Sequence, residues 1–270
     1  MLENHNWTGD GSLSIKGNPS APYINGTLIP AGAHAESYWN PPNEHPSLGN
    51  YLWMEAGTDF GINGWTKTQE SVAQNTQTAH SHLAWQLMQA GLSWKAYSGK
   101  TWPANTCPVA TWGVPQVFFS DITNDASPNA PICIQHIRPL SELATDLAGG
   151  RAANYSFIVP GLCEDMHAGC NQADPIRDGD DWLKSTIPLI LASKQYQQGG
   201  AIFIAWDEAD KGDGPIPFIV LSPLAKPGYS NSIHYTHGSL LRTVEEIFNL
   251  PLLGDAQKET DLSDFFLNFP

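Results

Sequence analysis

Apolar positions along the chain fall into two rhythms. Ala79, Leu83, Leu87 and Ala90 recur at helical spacing, and Gly91 supplies a stop, so a helix is predicted from Thr78. Leu92 to Tyr97 reads as a strand, and Val117-Phe118-Phe119 as a short apolar element. A helix comes next over Leu140 to Ala148, ended by Gly149-Gly150, and then a strand over Tyr155 to Val159, stopped by Pro160. Asp180 to Ser193 has the helical period, with Trp182, Ile187, Ile190 and Leu191 inward. Ala201 to Trp206 is almost continuously apolar, the pattern of a strand covered on both faces. Ile219 to Leu221 repeats it, and Leu240 to Phe248 reads as a helix. Residues 1–75 show almost no helical period and read as ordered loops around a core.

Strands alternating with helices at this spacing predict an α/β fold with a mostly parallel sheet, in one domain over residues 1–270. In such sheets ligands sit at the carboxyl ends of strands. Chemistry is therefore expected from the residues directly after each strand.

Composition narrows the classes. The 270 residues carry 13 Lys and Arg against 27 Asp and Glu, a net charge of −14. That balance argues against nucleic acid as a partner, because binding it relies on cations neutralising phosphates. Ten Trp, ten Phe and eight Tyr with few charges argue against disorder. No apolar run approaches the ~18–20 residues of a membrane span, so no stable membrane insertion is expected. The opening residues Met1 to His5 have neither the charged region nor the apolar stretch of a signal peptide. Cys107, Cys133, Cys163 and Cys170 form no CxxC pair. Their even number suits two disulfides in a secreted or periplasmic protein, with Cys163–Cys170 the expected local pair.

Five segments carry candidate chemistry. Asp207 and Glu208 come directly after the most hydrophobic strand. Adjacent carboxylates repel, and a cation is a natural reason to keep them; a solvated acidic turn is the alternative. Asp165 and His167 lie in the loop bounded by Cys163 and Cys170, where an incidental surface histidine is the rival reading. Ser47 stands after His45-Pro46 and reads as a nucleophile or as a common turn serine. Glu3-Asn4-His5-Asn6 taken alone reads as a frayed terminus. His234 and His237 precede the last helix, either approaching a phosphate or capping structure; Ser239 is expected as its N-cap, with Arg242 and Glu245 on the exposed side. GxSxG, GxGxxG after a strand and the P-loop are all missing from the sequence, so nucleotide-cofactor chemistry is poorly supported.

Taken in order, Glu3-Asn-His5, His45-Pro-Ser-Leu-Gly-Asn-Tyr51 with Ala56-Gly57, Glu164-Asp-Met-His167, Gly179-Asp-Asp-Trp-Leu183, Trp206-Asp-Glu208 and His237-Gly-Ser-Leu-Leu-Arg-Thr243 resemble the phosphoesterase family of bacterial phospholipases C and acid phosphatases, within the alkaline phosphatase superfamily. The resemblance implies a three-layer α/β/α sandwich. It implies metal ligation by Glu3, Asn4, Asp207 and Glu208. It also implies a nucleophile, likewise a ligand, at Ser47, which falls ten residues before Gly57. Asn50 would stand near the phosphoryl oxygens, and His167, with Asp165 beside it, on the phosphate side. An oxygen-rich donor set favours Ca²⁺, Mg²⁺ or Mn²⁺, with Zn²⁺ and iron still open. His167 and His237 are the candidates for proton supply and local positive charge, and protonated histidines would favour an acid optimum.

Two departures from the family pattern accompany these expectations. The chain begins at the Glu-Asn motif, without the apolar first strand that precedes it in the family, so the sheet is expected to lack that strand and ligation by Glu3 and Asn4 depends on it. Gly49 replaces a usual Pro and loosens the turn that carries Ser47. The reading is a metal-assisted hydrolase of small phosphate esters acting through a phosphoseryl intermediate. Its rivals are a phospholipase C-like diesterase, a non-catalytic binding protein on the same fold and, from the tryptophans alone, a carbohydrate-binding module.

Overall fold

The computed structural model describes residues 1–62, 71–110, 113–167 and 174–269. Short strands β1 (Ala33–Ala35) and β2 (Tyr38–Trp39) lead into helix α1 (Leu48–Ala56). Next in the chain are helix α2 (Leu83–Gln89), strand β3 (Trp94–Ser98), strand β4 (Ile137–Pro139), helix α3 (Leu143–Ala148) and strand β5 (Tyr155–Val159). Helix α4 (Pro175–Leu191) crosses to β6 (Ile202–Ala205), then come β7 (Phe218–Leu221), β8 (Tyr229–Asn231), β9 (Tyr235–Thr236) and helix α5 (His237–Ile247).

β4, β3 and β5 form a parallel sheet in that order, and β6, β7, β1 and β8 form a second, mixed sheet. Between them lies residue Leu2. Its N–H donates to the Ala205 carbonyl (3.0 Å), its carbonyl accepts from the Asp207 N–H (3.1 Å), and it bridges Trp206 in parallel. On the other side the Met1 ammonium donates to the Ile158 carbonyl at 2.8 Å. Met1 and Leu2 thus hold the end of one strand position where the two sheets meet. The α/β architecture and the parallel pairs accord with the sequence. The exceptions are β7 against β1 and β6 against β7, which are antiparallel.

Side chains alternate across the sheet as strand geometry requires. Trp94 and Ala96 of β3 enter a core with Leu52 of α1, Leu83 of α2 and Leu241 of α5, while Tyr97 turns to Leu143 and Leu147 of α3. Leu183 and Ile187 of α4 pack with Ile204, Phe218 and Val220. Helices therefore cover both faces, giving the three layers.

Several local expectations are corrected. Residues 1–75 are not loops throughout, because they hold α1. The helix predicted from Thr78 starts only at Leu83, with His82 at its N-cap position. The last helix is capped by Thr236 in a capping box, with Ser239 the third residue inside, so Ser239 is not the N-cap. Glu245 is not exposed: it is fully buried, and its Oε1 accepts the Leu253 N–H at 2.9 Å. Cys107 pairs with Cys133, and Cys163 is also disulfide-bonded. The expected Cys163–Cys170 pair lies outside the described residues, as Cys170 does.

Candidate active site

Three stretches far apart in sequence meet at the carboxyl end of β6. Leu2 pairs with Trp206, and that pairing delivers Glu3 and Asn4 beside Asp207 and Glu208. The Glu3 N–H donates to the Asp165 carbonyl at 2.8 Å. Asn4 adopts φ of +46°, a left-handed conformation that asparagine tolerates. This turn points its N–H at Asp207 Oδ1 (3.0 Å) and its Nδ2 at Glu208 Oε1 (3.0 Å). Glu3, Asp207 and Glu208 are all buried. The frayed-terminus and solvated-turn readings are thereby overturned.

The third stretch is the start of α1. Ser47 occupies the N-cap, and its Oγ–H donates toward Glu3 Oε2 (3.2 Å) and Glu208 Oε1 (3.3 Å). Gly57 ends the helix in the left-handed region at φ of +68°, where a Cβ would meet the Leu253 carbonyl oxygen at 2.7 Å. Gly49 is needed for a different reason. A Cβ there would stand 1.6 Å from Glu44 Oε1, so the glycine makes room for a buried carboxyl behind the serine. Tyr51 donates to Glu3 Oε1 at 2.6 Å and fixes that carboxylate from below.

Electrostatics reflect this crowding. Burial, with Glu3 and Glu208 close by, pushes the Asp207 carboxyl well above the usual carboxylate range. Burial and then Asp59 push Glu44 up to about 8, and burial and then Glu3 push Asp165 up to about 7. His45 reaches Glu208 Oε2 from Nδ1 (2.5 Å) and Asp213 Oδ1 from Nε2 (3.2 Å). Two carboxylate acceptors favour the imidazolium, and the hydrogen bond to Glu208 leads the upward shift of its pKa.

Ser47, Glu3, Asn4, Asp207 and Glu208 are brought together. Asn50 is fully buried one turn into α1; its Nδ2 donates to the Glu44 carbonyl (2.9 Å) and approaches Glu208 Oε2 (3.5 Å). Asp165 Oδ1 accepts the His167 N–H at 2.9 Å, and the His167 side chain is exposed. His237 has both ring nitrogens engaged. Its Nε2–H donates to the Asp207 carbonyl (2.5 Å), its Nδ1 accepts from the Tyr38 hydroxyl (3.0 Å), and burial pushes it down to about 4. It is neutral and supplies no positive charge, contrary to the sequence-based expectation. His45, Tyr51 and Glu44 were missed as site residues. The signal for His45 was its place in the serine motif, two residues before Ser47.

The Phosphoesterase family model matches residues 27–251. Among curated proteins, the chain is 27% identical over 261 residues to a phosphatidylinositol-3-phosphatase of Mycobacterium tuberculosis, covering 94% of this chain and 78% of that one. It is 24% identical over 222 residues to an acid phosphatase of Aspergillus niger, covering 78% of this chain and 50% of the relative. Among solved structures, a lipoteichoic acid synthase of Listeria monocytogenes superposes with a TM-score of 0.59 at 9% identity over 96% of this chain and 74% of that one. An alkaline phosphatase superfamily protein of Vibrio parahaemolyticus gives 0.57 at 11% identity over 86% and 61%. These two likenesses concern the fold, which is that of the alkaline phosphatase superfamily. The chain belongs to the Phosphoesterase family, and it is a hydrolase acting on phosphoric esters.

Proposed function

We propose that the chain is a metal-assisted phosphate monoesterase whose nucleophile is Ser47. The observation that carries this reading is the position of Ser47 Oγ, 3.2 Å from Glu3 Oε2 and 3.3 Å from Glu208 Oε1 at the N-terminus of a nine-residue helix. A serine hydroxyl is a weak nucleophile until its proton has somewhere to go, and the two carboxylates accept it. The helix N-terminus directs partial positive charge at the same point, where an ester's anionic oxygens would gather. Ser47 Oγ attacks phosphorus, the bond to the leaving oxygen breaks, and a phosphoserine forms. Water then attacks phosphorus, the Ser47 Oγ–P bond breaks, and phosphate leaves. His167, exposed at the rim, is the residue proposed to protonate the leaving oxygen. Asn50 Oδ1 has no hydrogen-bond partner among the described residues. That leaves it available to the site.

A divalent cation fits the donor set. Asn4 Oδ1 and Asp207 Oδ2 are buried oxygens with no hydrogen-bond partner among the described residues, an arrangement costly without a counter-charge. Among the described residues no group of three or more His, Cys, Asp or Glu side chains is by itself placed to hold a metal ion. The set proposed is Glu3, Asn4, Ser47, Asp207 and Glu208, in which an amide and a hydroxyl complete the carboxylates. When bound, such an ion lowers the serine pKa and offsets charge on the phosphoryl oxygens. The names of the two curated relatives denote phosphatases, which favours monoesters over a diesterase reading. The disulfides suit an extracellular or periplasmic site of action.

The test compares p-nitrophenyl phosphate with bis-p-nitrophenyl phosphate, together with acid-quench trapping of phosphoprotein. Monoester turnover with label retained on Ser47, and loss of both in Ser47→Ala, is the expected result. Faster diester turnover would move the reading to the diesterase. Activity surviving in Ser47→Ala would remove the nucleophile assignment. A folded wild type inactive on both esters across added divalent ions would leave the binding-protein reading.

A further inference from the structure

Met166 stands between Asp165 and His167 with φ of +74°, a left-handed conformation that is unfavourable for a residue bearing a Cβ. Such a conformation persists where its surroundings over-determine it. The Asp165 carbonyl accepts the Glu3 N–H at 2.8 Å, and Asp165 Oδ1 accepts the His167 N–H at 2.9 Å. The Met166 carbonyl lies 3.3 Å from Nε2 of His5, whose Nδ1 is in turn 3.0 Å from the Leu13 carbonyl. The side chain adds an anchor of a different kind. Met166 is buried in the core that also holds Ile176 and Leu183 of α4.

Room for that side chain comes from Gly179, inside α4. A Cβ there would stand 2.3 Å from Met166 Cγ, 2.6 Å from its Cε and 3.1 Å from the Glu164 carbonyl oxygen. A helix interior favours alanine over glycine, so α4 gains nothing of its own from Gly179. What the glycine permits is the close approach of the loop after β5. An unbranched side chain suits position 166, because a β-branched one tolerates positive φ least. At this bend Met166 turns into the core and His167 stands exposed. We infer that Met166, seated against Gly179, is a positioning residue that holds His167 at the rim for proton transfer to the leaving oxygen. The inference deepens the catalytic reading above and rests on its assignment of His167 as proton donor. The apolar residue between Asp165 and His167 then sets where the second of them points.

A proton donor matters more the more basic the leaving oxygen. Phenyl phosphate needs a proton as its bond to phosphorus breaks, whereas 2,4-dinitrophenolate leaves without one. The experiment measures kcat/KM of the full chain on phenyl phosphate and on 2,4-dinitrophenyl phosphate. His167→Ala should lower the first by about a hundredfold and the second by less than about threefold. Gly179→Ala and Met166→Gly should each reproduce that selectivity, with a fall of about tenfold or more on phenyl phosphate. In the His167→Ala background neither should change either ester further, since the group they place is gone. Met166→Gly leaves α4 unaltered and suits the left-handed bend, so it reads the side-chain anchor even where Gly179→Ala fails to fold. Selectivity in either variant, lost in the His167→Ala background, supports the inference. Equal losses on both esters, or additive losses in that background, would mark a purely structural role and overturn it. Full activity in both variants while His167→Ala stays selective also overturns it, and leaves the proton donor standing. A His167→Ala variant without selectivity removes the donor assignment and the inference with it.

Discussion

His82 is the clearest place to test how the helix carrying Ser47 is held. It sits at the N-cap of α2, fully buried, with Nδ1 3.0 Å from Glu55 Oε1 and Nε2 3.0 Å from Asp121 Oδ2. Glu55 lies on α1 and also accepts from the Ala84 N–H (2.7 Å) and Gln116 Nε2 (2.8 Å). The Trp85 N–H approaches the same Nδ1 at 3.4 Å, but the shorter carboxylate contact decides the proton. Both ring nitrogens therefore donate. Burial opposes the imidazolium, yet the two carboxylates outweigh it and raise the pKa from 6.5 to about 8. That rise is worth about 2 kcal/mol. Because the folded pKa lies above the unfolded one, the contribution is complete below pH 6.5 and fades as pH rises through 8.

Other groups titrate in the same window. Glu44 and Glu245, both raised to about 8 chiefly by burial, lose stability in the same direction. The Met1 ammonium, lowered by burial to about 5, gains it. The quantity to measure is therefore the difference between wild type and His82→Gln in urea midpoint, converted to free energy, at pH 6 and pH 9. The variant should be less stable at both. The gap should be about 2 kcal/mol wider at pH 6. A gap independent of pH, or one wider at pH 9, would refute the charged Glu55–His82–Asp121 arrangement.

Gly49→Ala places a methyl on Glu44 Oε1, so a loss of about 1–3 kcal/mol in stability is expected, with a larger fractional loss of kcat than in an exposed helix control. Replacing Cys107 and Cys133 by Ala opens a loop closed across 26 residues and should lower unfolding free energy by about 3–4 kcal/mol, read by denaturant titration. Chelation should abolish ester turnover and lower Tm, and readdition of one divalent ion should restore both; turnover indifferent to EDTA would contradict the proposed cation. Tyr38→Phe removes the donor to His237 Nδ1 and frees the tautomer that holds the Asp207 carbonyl. It should cost about 1–3 kcal/mol and lower kcat with KM little changed, whereas a purely structural role would lower Tm alone.

The strands over 155–159 and 202–205 were legible because β-branched and aromatic residues between Gly and Pro leave few alternatives, and the carboxylates after β6 could be read from their place in the pattern. The helix at 48–56 was not. Eight of its nine residues are buried, including Asn50 and Glu55, so the contrast between a polar and an apolar face that marks a surface helix is missing. Glu245 falls at a position that a helical wheel would give to solvent, but it is drawn in to cap a backbone N–H from the loop after α5. His237 failed for a related reason. Sequence spacing placed it near the site, but only the fold shows that Tyr38 and the Asp207 carbonyl occupy both of its nitrogens.

A chain with a net charge of −14 must still accept a phosphate, and the distribution of ion pairs shows how this is arranged locally. Lys16, Lys95, Arg138, Arg151, Lys211, Lys226, Arg242 and Lys258 all pair with acids elsewhere. Among the described residues no Lys or Arg pairs with Glu3, Asp207 or Glu208, and the charged partner of that trio is His45. Carboxylates placed this close in a buried setting either take up protons or hold a cation, and Asp207 is already pushed toward the first. A site left as protons alone would offer an incoming phosphate no positive charge beyond one imidazolium and a helix terminus. A cation in place of those protons, as proposed, would serve the fold and the substrate together. That double role is why the two unpartnered oxygens, on Asn4 and Asp207, weigh more in the functional reading than the overall charge.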